Sequence, residues 1–254
     1  MTTILDVYDV LCRIAPPELQ MGFDNAGFLV GNGEREVDTV LITLDITSEV
    51  IDEAKELGAQ LIVSHHPVIF RPLKCVNADG EGALVFKLIE NRIAAICMHT
   101  NLDIVEGGVN DVLLSRFGAQ KLESLDADHC GRIGLLKEEM PLSAFLSLCK
   151  EKLQVNALRY VNGGKTVRKL AVMGGSGGDA VQDAIEKGCD TYVTSDVKYH
   201  QFLEARELGL NLIDADHFCT ENPVIPVLAD KLRNVFPTLC VEISKRHHQT
   251  VSVF

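Results

Sequence analysis

The chain is 254 residues long, 46% hydrophobic and 24% charged, an ordinary globular composition with length for one large domain or two small ones. Its 36 acidic residues against 24 basic ones leave a formal charge of −12, so no basic surplus exists to displace counterions from a phosphate backbone. Binding to bulk nucleic acid is thereby excluded as its main activity. No apolar run approaches the ~18 residues of a membrane span. The opening MTTILDVYDVLCRIAPP carries acids where a secretory signal needs basic residues, so the expected location is cytoplasmic. Eight cysteines stand singly, as expected of reduced and mostly buried thiols.

Strand-like apolar runs alternate with amphipathic helical patterns, which predicts an α/β fold. TVLITLD (39–45) reads as a strand and SEVIDEAKEL (48–57) as a helix, with Ser48 as N-cap and Gly58 at its end. QLIVS (60–64) is the next strand, and a helix over 82–91 leads into IAAICM (93–98). The stretch 126–165 is less clearly punctuated; it holds a helix over 142–152 and closes on a Gly163-Gly164 turn. RKLAVM (168–173) then begins a second run of strand, helix (179–187, ended by Gly188), strand DTYVT (190–194), helix (202–208) and strand (211–213). His247 and His248, beside Lys245 and Arg246, read as an exposed polar end.

The two runs match one another. A shift of 130 places Ser64 on Thr194 and His66 on Asp196, and a shift of 118 places His99 and Asp103 on His217 and Glu221. The expectation is two pseudo-symmetric β-α-β-type halves around mixed sheets, with the site between them. The N-terminal half is 1–125, a connecting segment 126–167, and the C-terminal half 168–254.

Ser64-His65-His66-Pro67 directly follows an apolar strand, and functional groups in open α/β sheets gather at the carboxyl ends of strands. Adjacent side chains on a strand point opposite ways, so both histidines serve one ion only if the backbone turns, as departure toward Pro67 allows. Otherwise each imidazole reaches a different ion, or the pair merely caps and hydrogen-bonds. His217 and Glu221, four apart, share a helical face and either converge on one centre or bond each other. After the strand 93–98, Asp103 is a candidate ligand and His99 a candidate ligand, proton donor or orienting group. Four imidazoles and two carboxylates at three strand ends suit Zn, Fe, Mn, Co or Ni rather than Ca or Mg. Five or six donors exceed one tetrahedral site and suit two divalent ions about 3.5–4 Å apart.

A rival signal is Gly174-Gly175-Ser176-Gly177-Gly178, where Gly175-x-Gly177-x-x-Ala180 fits a dinucleotide fingerprint and Asp196 stands about 20 residues on. The glycines serve equally a tight turn or a close approach to phosphate. In Thr194–His200, Lys198 is a candidate phosphate holder and Asp196 or His200 a proton relay, against plain solvation of an exposed turn. Phe23-Asp24-Asn25-Ala26-Gly27 either forms an Asx turn or walls the site. Cys219, between His217 and Glu221, reads as packing.

The strings FDNAGFLVG, LDITSEVIDEA, LIVSHHPVIF, HTNLD, GGSGG, TSDVKYH and DADHFCTE, in this order, resemble the GTP cyclohydrolase 1 type 2 homologue (Ngg-interacting-factor-like) family over nearly the whole chain. The resemblance implies a dinuclear centre of two divalent transition-metal ions held by His65, His66, Asp103, His217 and Glu221, with Glu221 bridging. It also implies a toroidal homohexamer and a nucleotide or other phosphorylated small molecule as ligand, for which the residues read above, His99, Lys198 and His200, are the candidate catalytic groups. Three positions depart from the pattern: Phe23 where the family often has Trp, Asp216 where it often has Gly, and Cys219 where it often has Ala. Longer relatives carry an inserted middle domain for which 126–165 is too short. The functional expectation is a metal-dependent hydrolase of a nucleotide-like substrate; the alternative is a non-catalytic metal-binding, metal-delivery or interaction scaffold protein.

Overall fold

A computed structural model describes residues 1–253; Phe254, the last residue of the expected C-terminal half, lies outside the described residues. The chain divides into two units. The first comprises Met1–Val105 and Ile225–His248, and the second Glu106–Val224 with the residues from Gln249 on.

The first unit begins with α1 (Ile4–Ile14), β1 (Gly27–Val30), β2 (Thr39–Thr43), α2 (Ser48–Leu57) and β3 (Leu61–Ser64). It continues through α3 (Ala83–Glu90), β4 (Ala94–Cys97) and the short α4 (Thr100–Ile104). The second unit contains α5 (Val109–Arg116), β5 (Gln120–Ser124), β6 (Arg132–Met140), α6 (Leu142–Leu153), β7 (Arg159–Val161) and β8 (Val167–Val172). After these come α7 (Val181–Glu186), β9 (Thr191–Thr194), α8 (Tyr199–Glu207), β10 (Asn211–Asp214) and α9 (His217–Glu221). The chain then returns to the first unit with α10 (Val224–Val235) and β11 (Cys240–Ile243).

The first sheet has the order β1-β4-β3-β2-β11, parallel except for the antiparallel edge strand β1. All four residues of β3 and of β4 are buried, the pattern of a parallel sheet covered on both faces. On one face Leu41, Ile62 and Ala95 pack with Val50, Ile51 and Ala54 of α2 and Val85 and Leu88 of α3. Helix α2 starts one residue differently from expectation. Thr47, not Ser48, is its N-cap, because Thr47 holds the extended backbone and its hydroxyl accepts from Val50 N–H at 3.3 Å. Gly58 ends it in the left-handed region (φ 67°), as expected.

The second sheet has the order β5-β6-β8-β9-β10-β7, with β8, β9 and β10 parallel and the other pairings antiparallel. Tyr192, fully buried in the middle strand, donates its hydroxyl to the Gly177 carbonyl at 2.7 Å, which satisfies its polar end inside the core.

The mixed α/β class and the paired parallel trios β2-β3-β4 and β8-β9-β10 agree with expectation, but the division of the chain differs. The boundary falls at 105/106 and the chain re-crosses at 224/225. The segment 126–167 is no connector, because its strands β6 and β7 pair into the second sheet and Phe145 and Cys149 of α6 are buried in that unit's core. The C-terminal residues expected in the second half instead supply β11, parallel to β2 in the first sheet. His247 is half-buried rather than exposed, with Nδ1 donating to Ser244 O at 2.8 Å. His248 is exposed as expected.

The internal match is also refined. Strands β3 and β9 correspond at the expected shift of 130, but β4 and β10, and the helices after them, correspond at 117. His99 is therefore the N-cap of α4 and answers to Asp216, the N-cap of α9, whereas His217 is the first residue of α9 and answers to Thr100.

Candidate metal centre

In the first unit the backbone turns after β3, as convergence of adjacent histidines requires. The Ser64 hydroxyl donates to the His66 carbonyl at 2.7 Å, and Leu44 O receives His66 N–H at 2.9 Å. The His65 and His66 rings then stand 4.9 Å apart, and the His99 ring lies 5.2 Å from one and 5.6 Å from the other. One ring nitrogen from each of the three falls within 4.8 Å of the others. Asp103 joins them from α4, its Oδ1 3.6 Å from His65 Nε2.

The anchoring of each imidazole decides which nitrogen faces the cluster. His65 Nδ1 lies 2.8 Å from the Met98 carbonyl, His66 Nδ1 2.7 Å from Asp45 Oδ1, and His99 Nδ1 2.6 Å from Asp24 Oδ1. All three oxygens accept, so Nδ1 carries a proton, and in the neutral imidazole Nε2 is then the nitrogen that can ligate. That is how metal-ligating histidines are held. Asp24 does more than anchor His99: its Oδ2 accepts from Thr100 N–H at 3.0 Å and from the Thr100 hydroxyl at 2.6 Å. Burial alone would raise its carboxyl, but the hydrogen bonds from His99 and Thr100 outweigh it and hold Asp24 ionised far below the usual carboxylate range.

The second unit holds its own pair, His217 and Glu221. His217 Nδ1 donates to Asp196 Oδ2 at 2.8 Å, which turns Nε2 to the buried Glu221 Oε2, 3.1 Å away. A lone pair facing a carboxylate at this distance is resolved by a proton or a cation. The glycine run explains how Glu221 fits. Gly175 has φ +64°, and a Cβ there would overlap Glu221 Oε1 and come within 3.2 Å of His217 Nε2. Gly175 N–H is also anchored, donating to Thr220 Oγ1 at 3.0 Å. The run thus serves a tight turn and the close approach of Glu221. The rival dinucleotide reading loses its ribose acid as well, since Asp196 holds His217.

Asp196 (φ 53°) and Asp216 (φ 73°) both adopt the left-handed half of the backbone map beside this pair. At Asp216 that geometry favours glycine. This chain compensates by capping, with Asp216 Oδ1 accepting from Cys219 N–H at 3.0 Å. Cys219 itself is buried in the second core, and burial pushes its thiol up to about 12. It is packing, as expected.

Lys198 and His200 sit apart in character from these groups. Lys198 caps α8 with its side chain 3.8 Å from Asp179, and His200 is exposed on the first turn. His200 is absent from the clustered donor groups among the described residues, while His99 is among them. The groups that sequence reasoning passed over are Asp24, Asp45 and the Met98 carbonyl. Asp24 lies in the segment expected either to form an Asx turn or to wall the site, and a histidine's distant acceptor leaves no mark in local spacing.

Fold and site together define an α/β protein with clustered imidazoles and carboxylates that could hold a metal ion. The chain belongs to the Duf34/NIF3 (NGG1p interacting factor 3) family, whose description matches residues 2–250. It is 38% identical over 236 residues to a GTP cyclohydrolase 1 type 2 homolog of Clostridium perfringens, covering 90% of each chain. It is 32% identical to a GTP cyclohydrolase 1 type 2 of Helicobacter pylori over 99% of this chain and 100% of the relative. A Bacillus cereus protein related to NIF3 superposes with TM-score 0.93 at 27% identity, covering 100% and 99% of the two chains. Among the described residues no helix is long and apolar enough to cross a membrane.

Proposed function

We propose that this protein is a dinuclear metal-dependent hydrolase of a nucleotide-like substrate. Its donors would be His65, His66 and Asp103 of the first unit and His217 and Glu221 of the second. The observation that carries the reading is the uniform anchoring of four histidines through Nδ1, which makes Nε2 the ligating nitrogen of His65, His66 and His99 in the first unit and of His217 in the second, each unit also holding a buried carboxylate, Asp103 or Glu221. That donor set fits Zn, Fe, Mn, Co or Ni. Two such ions, when bound, supply Lewis acidity and a nucleophile at neutral pH. His99 would shuttle a proton at Nε2, steadied by the ionised Asp24. The names of the relatives support GTP as the first nucleotide to try. The assembly we propose is the toroidal homohexamer that the resemblance implies.

The test is elemental analysis of the purified chain, followed by incubation with GTP. About two equivalents of transition metal, lost on His65→Ala or Glu221→Ala, are expected. Less than one equivalent, unchanged in both variants, rejects the metal centre. Release of formate from GTP supports the cyclohydrolase reading, and its absence alongside hydrolysis of other nucleotides or phosphoesters rejects that substrate alone. A second reading, metal binding or delivery without turnover, is favoured by one contact: Lys198, the expected phosphate holder, faces Asp179 instead. Full metal content with no turnover on the whole panel, together with transfer to an apo-enzyme, selects it.

A further inference from the structure

Two large aromatic side chains are exposed beside the histidine cluster of the first unit. Phe23 is 66% exposed and Phe70 46% exposed, although a phenyl ring in water forfeits most of its burial free energy. Their rings stand edge to face with centroids 6.5 Å apart. Phe70 in turn meets the His99 ring almost perpendicularly, at 6.1 Å and 87°. The order Phe23, Phe70, His99 therefore runs from open solvent to the clustered imidazoles.

These rings are held in place by polar contacts. Phe23 sits in a turn closed by Asp24 N–H donating to Met21 O at 3.0 Å, and Met21 N–H donates to Thr100 Oγ1 at 3.0 Å. Asp24, the next residue, is fastened to His99 and Thr100. The loop that carries Phe70 is tied to the same turn, because Asn25 Nδ2 donates to the Ile69 carbonyl at 2.5 Å. Two loops far apart in sequence are thus joined at the residues beside each phenyl ring. Such fixing lowers the ordering cost of a ligand that lies on the rings.

We infer that Phe23 and Phe70 form an aromatic platform for the planar heteroaromatic base of the substrate, which stacks on one phenyl face and meets the other ring edge to face while its reacting edge points toward His99. The inference rests on the nucleotide reading above and specifies which part of the substrate this unit selects. Phenyl faces accept any flat π system, so the platform chooses a base over a sugar and discriminates weakly among bases. Residues with hydrogen-bonding ends are not needed at positions 23 and 70 for that task.

The experiment titrates metal-replete protein with GMP, AMP and ribose 5-phosphate by calorimetry. Both nucleotides are expected to bind at least about tenfold more tightly than ribose 5-phosphate. Phe23→Ala and Phe70→Ala should each remove most of that difference without changing metal content or hydrodynamic size. The chain contains no Trp, so Phe23→Trp supplies a single reporter. It should keep the preference, and its fluorescence should be quenched by GMP and not by ribose 5-phosphate. Equal affinity for all three ligands, or a preference that survives both Ala variants, overturns the platform. So does a fall in assembled mass in the Ala variants with nucleotide affinity unchanged, which makes this surface a contact between copies. Metal content is read in every sample, so loss of the platform and loss of the metal centre are separate outcomes.

Discussion

In the first unit the imidazoles come as a group of three, and their anchoring oxygens arrive from other parts of the chain: Asp24 before β1, Asp45 after β2, and the Met98 carbonyl after β4. In the second unit one imidazole stands with one buried carboxylate on a single turn of helix. Its anchor, Asp196, follows the neighbouring strand β9, and Gly175 leaves the space. Both units hang these groups on the same scaffold, three parallel strands whose following loops bear the chemistry. The scaffold fixes where a loop begins; a one-residue difference in helix start decides which side chain it presents. In α4 that offset makes histidine the N-cap, and in α9 it makes an aspartate the N-cap and histidine the first helical residue.

The largest effect expected from breaking this contrast is at Gly175. Gly175→Ala places a Cβ against Glu221 Oε1 at φ +64°, and a left-handed non-glycine residue alone costs about 1–2 kcal/mol. Calorimetry should show Tm lowered by about 2–8 °C, and elemental analysis should show metal lost. Unchanged metal content would mean that Glu221 is not a donor. Asp24→Asn probes the first unit's version of the same arrangement, keeping the shape and removing the charge that steadies His99. Turnover is expected to fall about 10–100-fold, the usual cost of losing such a partner. Retained metal then marks His99 as a proton carrier, and lost metal marks it as a ligand.

A smaller effect belongs to the edge that only the first unit completes with the end of the chain. Glu53 on α2 accepts from Ser244 Oγ at 2.5 Å, Lys245 N–H at 2.9 Å and Arg246 N–H at 3.2 Å, just after β11. Burial would raise its carboxyl, but these donors prevail and hold it below the ordinary glutamate range. A lowered folded-state value stabilises the fold above the unfolded value of about pH 4.3, and the gain disappears as pH falls through the folded one. Glu53→Gln should therefore cost about 1–3 kcal/mol at neutral pH, measured by denaturant unfolding, and progressively less below pH 4. A cost independent of pH would contradict the charge-based account. Smallest of all is Asp216→Gly, which exchanges a helix cap for relief of a positive φ. Stability should shift by only a few tenths of a kcal/mol, and a loss above 1 kcal/mol would show that Asp216 does more than cap.

Much of this architecture was legible beforehand because it is local. Apolar runs such as LIVS and AAIC announced buried strands, Gly58 announced a helix end, and histidines after strand ends marked the groups that cluster. What was not legible is long-range or rotational. Nothing in CVEI names β2 as its neighbour, so the return of the chain to the first sheet was missed and the second half was drawn too long. Asp24 lies 75 residues from His99, beyond the reach of any spacing rule. The pairing of His99 with His217 rested on letters and slipped by one because helix starts, not histidines, keep the common frame. Lys198 and His200 were read as site residues from their place after β9, but exposure depends on how α8 is rotated, which the sequence leaves open.

The parallel pairing of β11 with β2 has a consequence for biosynthesis. Its partners are about two hundred residues apart, so the first sheet cannot close until nearly the whole chain has left the ribosome. The second unit, drawn almost entirely from the continuous stretch Glu106–Val224, has every strand of its sheet available earlier. During that interval β2 is an open edge of buried, apolar residues, Val40 to Ile42, able to template a wrong partner. The strand that covers β2 is therefore made about two hundred residues after it.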